Sequence, residues 1–417
     1  MRVAFSMSGR YRVCSLMKTS FFAIRGDPQK ALLLQIAAAT VCRTLLNTAR
    51  RFAYPFAPAL SRGMDVPLTA VTTIIAANQA TGLIGIFFGP MGDRFGYRRM
   101  MLTGLGLMAV GMTAAGAVPF YGIVLVGLLM AGLGKSAFDP AIQAYVSEQV
   151  PFYRRGLAIG TMEFAWAGST LLGIPLLAVL IDTTGWRSPF FFLGISAFLG
   201  FSSIAVLIPK TVDHRRSPGL HSSLWASFGL LLTKRPALGV MLASLLANAA
   251  NDAIFVVYGA WLEEGFGMGI LGLGAATGVI GAAELGGEVF SAAFGDRIGL
   301  KRAVIFGMGL AVAAYALLPF TAGSMPLALS GLFFLFLVYE FAIVGSISLA
   351  TELLPEHRAT MMAGFFAAAG IGRIIGAFSG GFIWTVARIE GTVLFSCLLG
   401  ALGIAALIWG LRGWDEA

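Results

Sequence analysis

From residue 31 to residue 411 the chain is a succession of apolar runs, most of them twenty to thirty residues long, separated by short polar breaks. A helix of about 20 apolar residues crosses the hydrocarbon core of a bilayer. Twelve runs qualify: 31–59, 66–90, 100–119, 121–147, 155–181 and 188–209, then 236–262, 267–294, 302–320, 325–350, 358–385 and 390–411. A longer polar stretch, Lys210 to Arg235, divides them six and six. Pro55, Pro58, Pro140 and Pro175 fall inside runs, where they are expected to bend helices and not to end them.

Composition supports a membrane fold. The 417 residues are 58% hydrophobic and 12% charged, against roughly a quarter charged in soluble domains. Fifty-four glycines suit closely packed membrane helices. The fold class is therefore an all-α membrane protein of twelve transmembrane helices in two six-helix bundles. Its expected parts are a basic tail (1–30), a bundle (31–209), a central loop (210–235), a second bundle (236–411) and a short tail (412–417).

The formal charge of +9 would suit a nucleic-acid partner only as a basic patch on a soluble face. No stretch supplies one. With both termini cytoplasmic, 21 of the 29 Lys and Arg fall on the inside and three (Arg62, Arg187, Arg388) on the outside. That is the positive-inside signature of a multi-pass inner or plasma membrane protein. The expected partners are the lipid bilayer and a small-molecule substrate, without nucleic acid, and the chain is expected to be a monomer. The basic tail has no signal-peptide core behind it. Cys14, Cys42 and Cys397 have no metal-binding or disulfide spacing.

The polar breaks repeat. "GPMGDRFGYRR" at 89–99 returns as "AFGDRIGLKR" at 293–302, with Asp93 and Asp296 203 apart. Glu148, Pro151 and Arg154 return 204 residues later as Glu352, Pro355 and Arg358, and Asn47 and Tyr54 as Asn251 and Tyr258. Two halves of six spans share one orientation. They imply an axis along the membrane normal and a site between the halves near the midplane.

The first of these loops resembles the signature of the major facilitator superfamily, G-x-x-x-D-R-x-G-R-R, through Gly89, Asp93, Arg94, Gly96, Arg98 and Arg99. The second copy keeps Asp296, Arg297, Lys301 and Arg302 but has Ala292 where Gly89 stands. The resemblance, which covers roughly residues 31 to 411, implies secondary transport by alternating access. It also implies a charge network at the inner surface that closes in one state and opens in the other. Arg94 and Arg98 are expected to reach Glu148 across the neighbouring loop. Topology charge alone is the other reading of these residues. "GWRSPFFF" at 185–192 resembles efflux-type members, of the drug:proton antiporter or sugar-efflux kind, while Gly173-Ile174-Pro175 departs from the Gly-Pro of exporters.

Charges inside hydrocarbon cost a few kcal/mol each, so their placement is informative. Eleven lie within spans: Arg43, Arg50, Arg51, Lys135, Asp139, Glu163, Asp252, Glu284, Glu288, Glu340 and Arg373. None is in spans 3, 6, 9 or 12, which are expected to face lipid while the other eight enclose a polar cavity. Glu284 and Glu288, four apart, share a helix face about 18 and 12 Å from Asp296, and Arg373 lies roughly 22 Å from Arg358, at a depth like that of Glu284. Two carboxylates in one low-dielectric pocket do not both ionise cheaply. Glu284, Glu288 and Arg373 are thus candidates to carry a coupling proton, or else a fixed ion pair fastening span 8 to span 11. Arg50 and Arg51, in the outer half of span 1, are expected to pair with Asp252 as an outer gate, or else Arg51 snorkels to the headgroups, and Lys135 and Asp139 are expected to neutralise one another.

No ATP-binding GxxxxGK[ST] or metalloprotease HExxH is present, and His214, His221 and His357 all lie in loops. The expected energy source is the proton gradient, without cofactor or metal. The function expected is proton-coupled export of an amphipathic or drug-like molecule. The arginines of span 1 keep open the uptake of an anionic metabolite, and a membrane sensor or enzyme is the remaining alternative class. Asp93→Asn is expected to disable transport while expression and folding persist; full transport by that variant in reconstituted vesicles would remove the latch from the account.

Overall fold

The computed structural model describes residues 28–150, 162, 164–209, 229, 231–354 and 358–414. All regular structure among them is helical, since in hydrocarbon a helix satisfies each backbone N–H and C=O within its own segment. Span 1 comprises Pro28–Arg51 and Ala57–Met64, span 2 Leu68–Phe95, span 3 Tyr97–Ala117 and span 4 Tyr121–Gln149. Span 5 is Phe164–Thr184 and span 6 Ser188–Leu207. Span 7 comprises Arg235–Phe255 and Tyr258–Phe266, and span 8 is Ile270–Ile298. Span 9 is Leu300–Leu317 with a 3-10 turn, Leu318–Gly323, and span 10 is Met325–Leu353. Spans 11 and 12 are the two parts of Arg358–Gly410, divided where Arg388 turns the chain with φ 50°.

Spans 1 and 7 are interrupted, not merely bent as the prolines suggested for span 1. The first segment of span 1 stops at Arg51, and Phe52–Phe56 forms turns before Ala57. Pro55 lacks an N–H and disfavours a helical residue before it. Span 7 stops at Phe255, 204 residues after Arg51, yet has no proline there. The break therefore belongs to the repeat. Pro140 stays within a continuous helix, and Pro175 sits in the first turn of Ile174–Thr184 behind a π turn, Ser169–Gly173.

The signature loops also share one backbone. Gly96 and Gly299, 203 apart, link spans 2 and 3 and spans 8 and 9 with φ 95° and 87°. That conformation is open to glycine and costly for other residues. Just beyond, Arg98 donates to Ala205 O at 2.7 Å, and Lys301 donates to Leu411 O and Trp414 O at 2.9 and 3.0 Å. Each cation ties its third span to the C-terminal carbonyls of the sixth, where a helix dipole favours positive charge. The expected Arg98–Glu148 contact is thus replaced. Glu148 instead accepts from Tyr97 at 3.2 Å, and Arg94 lies over the Phe95 ring. Arg99, Arg297, Arg302 and Glu352 are exposed. Gly89 lies within the span 2 helix; Arg154 lies outside the described residues, as do the side chains of Asp93, Asp296 and Arg358.

Each half is a bundle. Span 3 packs on spans 4 and 6 of its own half, and span 9 on span 10 and the helix Arg358–Gly410. Val110, Phe198, Phe306 and Leu398 of spans 3, 6, 9 and 12 are exposed, as a lipid-facing surface requires. Extensive contact between the halves, among the described residues, joins span 2 to span 11, span 5 to span 8, and Ala57–Met64 to Tyr258–Phe266. The last of these meets at the end of the molecule that carries Arg62, so the halves are shut there.

Spans 7 and 11 pack backbone to backbone. Gly372, Gly376 and Gly380, four apart, lie against the backbone carbonyls of Leu245, Ala249 and Ala253, leaving no room for a Cβ. Small residues at this spacing let membrane helices pack by direct backbone contact. Gly376→Leu should lower stability in detergent by about 1–3 kcal/mol, read as a fall in the thermal unfolding midpoint. Gly309→Leu, whose site is open, should leave it unchanged.

Candidate functional site

Arg43, Asn47, Arg50 and Tyr54 recur at three- and four-residue intervals and share one face of span 1. The break after Arg51 frees the following turn to reach the other half. A polar cleft forms there between the bundles. Arg50, Arg51, Tyr54, Gln79 and Trp166 line it from the first half. Asn251, Asp252, Phe255, Glu284, Phe336, Tyr339, Glu340 and Arg373 line it from the second.

Its centre is an ion pair. The Arg51 guanidinium donates from Nη1 and Nη2 to the two carboxylate oxygens of Glu284, at 3.2 and 2.5 Å. The two side chains are only 5% and 6% exposed. The Thr170 hydroxyl, in the π turn of span 5, donates to Glu284 at 3.4 Å. The guanidinium lies over Trp166, 4.3 Å from the ring centroid, and near Phe255 at 5.3 Å. Removing one partner of such a pair strands a buried charge, at about 3–5 kcal/mol.

A second connection crosses the same interface. Arg50 donates to Gln79 Oε1 at 3.0 and 2.6 Å, Gln79 Nε2 donates to Tyr54 Oη at 2.5 Å, and Tyr54 donates to Asp252 at 2.9 Å. On the far side Arg373 Nε donates to Asn248 at 3.1 Å and lies 4.0 Å from Asp252. Glu340 shares the second half's wall with Glu284 and packs against Gly287 of span 8.

Two expected pairings are corrected. Arg51 pairs with Glu284 and not with Asp252, because the break after Arg51 delivers Tyr54 to Asp252 instead. Arg373 shares the cleft and depth of Glu284, yet its carboxylate neighbour is Asp252. Glu288 is half-buried, one turn beyond Glu284. Other candidates lie apart from the cleft lining. Lys135 and Arg43 both pair with Asp139, and Arg43 also donates to Met162 O at 3.0 Å, inside the first half. Asn47 is buried, and its amide has no hydrogen-bond partner among the described residues. Tyr258 bonds Thr277 at 2.7 Å. Glu163 lies outside the described residues.

Gln79 and Trp166 were missed because attention to ionisable groups passes over neutral polar and aromatic ones. The ion pair of Arg62 with Glu263, which crosses between halves at the shut end, was hidden by its loop position. Beside it Arg388 pairs with Glu264 at 2.6 Å.

Two six-helix bundles around a shared charged cleft define a membrane transporter, and the comparisons say which kind. The chain belongs to the Major Facilitator Superfamily, whose family model matches residues 39–365 and, again, 240–416. It is 28% identical over 283 residues to the multidrug resistance protein MdtG of Dickeya zeae, covering 67% of each chain. It is 23% identical to the sialic acid transporter NanX of Escherichia coli, covering 58% of this chain and 59% of that one. Among solved structures it resembles a bacterial homologue of the human lysosomal transporter Spinster, with a TM-score of 0.70 at 13% identity, covering 92% of this chain and 96% of that one. The relatives and the fold are those of transporters and not of enzymes.

Arg51→Gln and Glu284→Gln should each destabilise the protein. In a double-mutant cycle of thermal stabilities they should couple by more than about 1 kcal/mol. An Arg51–Asp252 cycle giving as much coupling would contradict the pairing described.

Proposed function

We propose that this transporter is a proton-coupled exporter of small amphipathic molecules, working by alternating access. The observation that carries this is the buried Arg51–Glu284 pair, which joins the two halves inside the cleft. A closed interface that contains such a pair separates cheaply only if the charge on one partner changes. Arginine stays protonated, so Glu284 is the partner that changes. A proton on Glu284 releases Arg51 and lets the halves part; loss of that proton restores the pair. Glu288 and Glu340 supply a neighbouring acidic path, and Arg373 holds Asp252 on the other side of the cleft.

The Lys and Arg asymmetry supports cytoplasmic termini, which makes the shut Arg62 end the outer one. A molecule would then enter the cleft from the cytoplasm. Trp166, Phe255 and Phe336 offer it apolar surface beside the charges. The similarity to MdtG supports export. The three arginines of the cleft support a second reading, the uptake of an anionic metabolite with protons, to which the similarity with NanX also lends weight.

Proteoliposomes with an imposed pH gradient, tested on a small panel of amphipathic compounds, decide between the directions. Glu284→Gln should abolish net transport driven by the gradient while binding or exchange persists. Concentration of substrate against its gradient by a Glu284→Gln, Glu288→Gln double variant would end the coupling proposal.

A further inference from the structure

Arg50 and Arg373 stand out among the charges of the cleft because their hydrogen-bonding capacity is not used up. Arg50 spends Nε and Nη2 on Gln79, a neutral residue, and its Nη1 makes no hydrogen bond to the described protein. Among the described residues it has no carboxylate partner. Arg373 spends only Nε, on Asn248, and both its terminal nitrogens are unbonded although Asp252 lies 4.0 Å from Nε. Its side chain is 31% exposed and lines the cleft.

The two guanidiniums approach from opposite bundles, one from span 1 and one from span 11, on either side of the Gln79–Tyr54–Asp252 bridge. Of the acids in the cleft, Glu284 is engaged by Arg51 and Asp252 lies between Tyr54 and Arg373. Glu340 sits on span 10, within reach of Glu284 and Glu288. Arg50 is therefore a permanent cation with no carboxylate of its own among the described residues, in a place where isolated charge is costly. The physical remedy is an anion. A planar guanidinium with two free N–H groups matches the paired oxygens of a carboxylate, sulfonate or phosphate. The ring of Trp166, under Arg51 and 5.8 Å from Arg373, with Phe255 and Phe336, provides a flat apolar floor beside it.

We infer that the transported molecule bears an anionic group on an aromatic or otherwise apolar body, and that Arg50 and Arg373 hold this group from the two halves at once. The inference rests on the transport role proposed for the cleft and narrows its substrate class. A ligand that bridges the halves favours the state in which they are close around it. Binding and conformational change are thereby linked through the substrate's own charge.

The test uses the purified full-length protein and four probes of one shape: 2-naphthoate, 2-naphthalenesulfonate, the neutral 2-naphthamide and the cationic 2-naphthylmethylammonium. Affinity is read by calorimetry, with quenching of tryptophan fluorescence as a second signal. The two anions should bind at least about tenfold more tightly than the amide and the cation, the factor expected of a charged hydrogen bond. Arg50→Gln and Arg373→Gln should each lose about that factor, and Arg50→Lys should recover part of it. The ratio of anion to amide in the unmutated protein needs no variant, so a variant that fails to fold does not stop the test. Equal binding of all four, tighter binding of the cation, or no binding by either anion would overturn the inference. Transport of the amide or cation driven by a pH gradient would leave the coupling proposal standing while removing the anion clamp. Anion binding with no response to the gradient would do the reverse.

Discussion

Bilayer hydrocarbon offers no partner for a charge, and the Arg51–Glu284 pair is where this protein meets that constraint most directly. The chain places an arginine on span 1 and a glutamate on span 8 at depths where neither is stable alone. Each finds its opposite charge in the other, across the boundary between the two bundles. The bundles are thereby held together through a buried contact between opposite charges. Around it lie the π turn of span 5, which brings the Thr170 hydroxyl to Glu284, and Trp166, which covers the guanidinium. A core made only of leucine and glycine contacts would hold the halves without giving any signal a means of releasing them.

The repeat explains how such a site arises. Both halves interrupt their first span at equivalent residues, Arg51 and Phe255, and both turn their signature loop on a glycine with positive φ. Both anchor the third span to the end of the sixth with a cation, Arg98 or Lys301. The scaffold is symmetric and the contents of the cleft are not. Where the first half presents Arg51, the second presents Phe255, and the two pack against each other. Equivalent positions in a repeat meet near the axis between its copies. A charge at one and an aromatic at the other therefore set an ionic group directly against an apolar one where the halves meet.

The signature loop shows how a motif can be recognised correctly and its contacts still be misjudged. Arg98 seemed placed to reach Glu148 when only chain proximity was considered. The carbonyls at the end of span 6 are the stronger attraction, because they are unpaired within their own helix and carry the negative end of its dipole. Tyr97 takes Glu148 instead.

The all-helical fold of twelve spans, the repeated signature loop and the charges Arg51, Asp252 and Glu284 that are buried between the halves were legible in the sequence. Each follows from a local rule: how many apolar residues cross a bilayer, and which residues the bilayer penalises. The breaks in spans 1 and 7 were not legible. One coincides with Pro55, which could equally have bent a helix, and the other has no proline. Which acid each arginine meets was likewise undecided, since Asp252 and Glu284 both lay at suitable depths for Arg51 and Arg373. Depth follows from counting residues along one helix. Pairing depends on the rotation of each helix and on its distance from helices more than two hundred residues away, and only packing sets those. The tertiary structure therefore decided that Glu284 belongs to Arg51, that Tyr54 and Arg373 flank Asp252, and that Gln79 and Trp166, which carry no charge, complete the cleft.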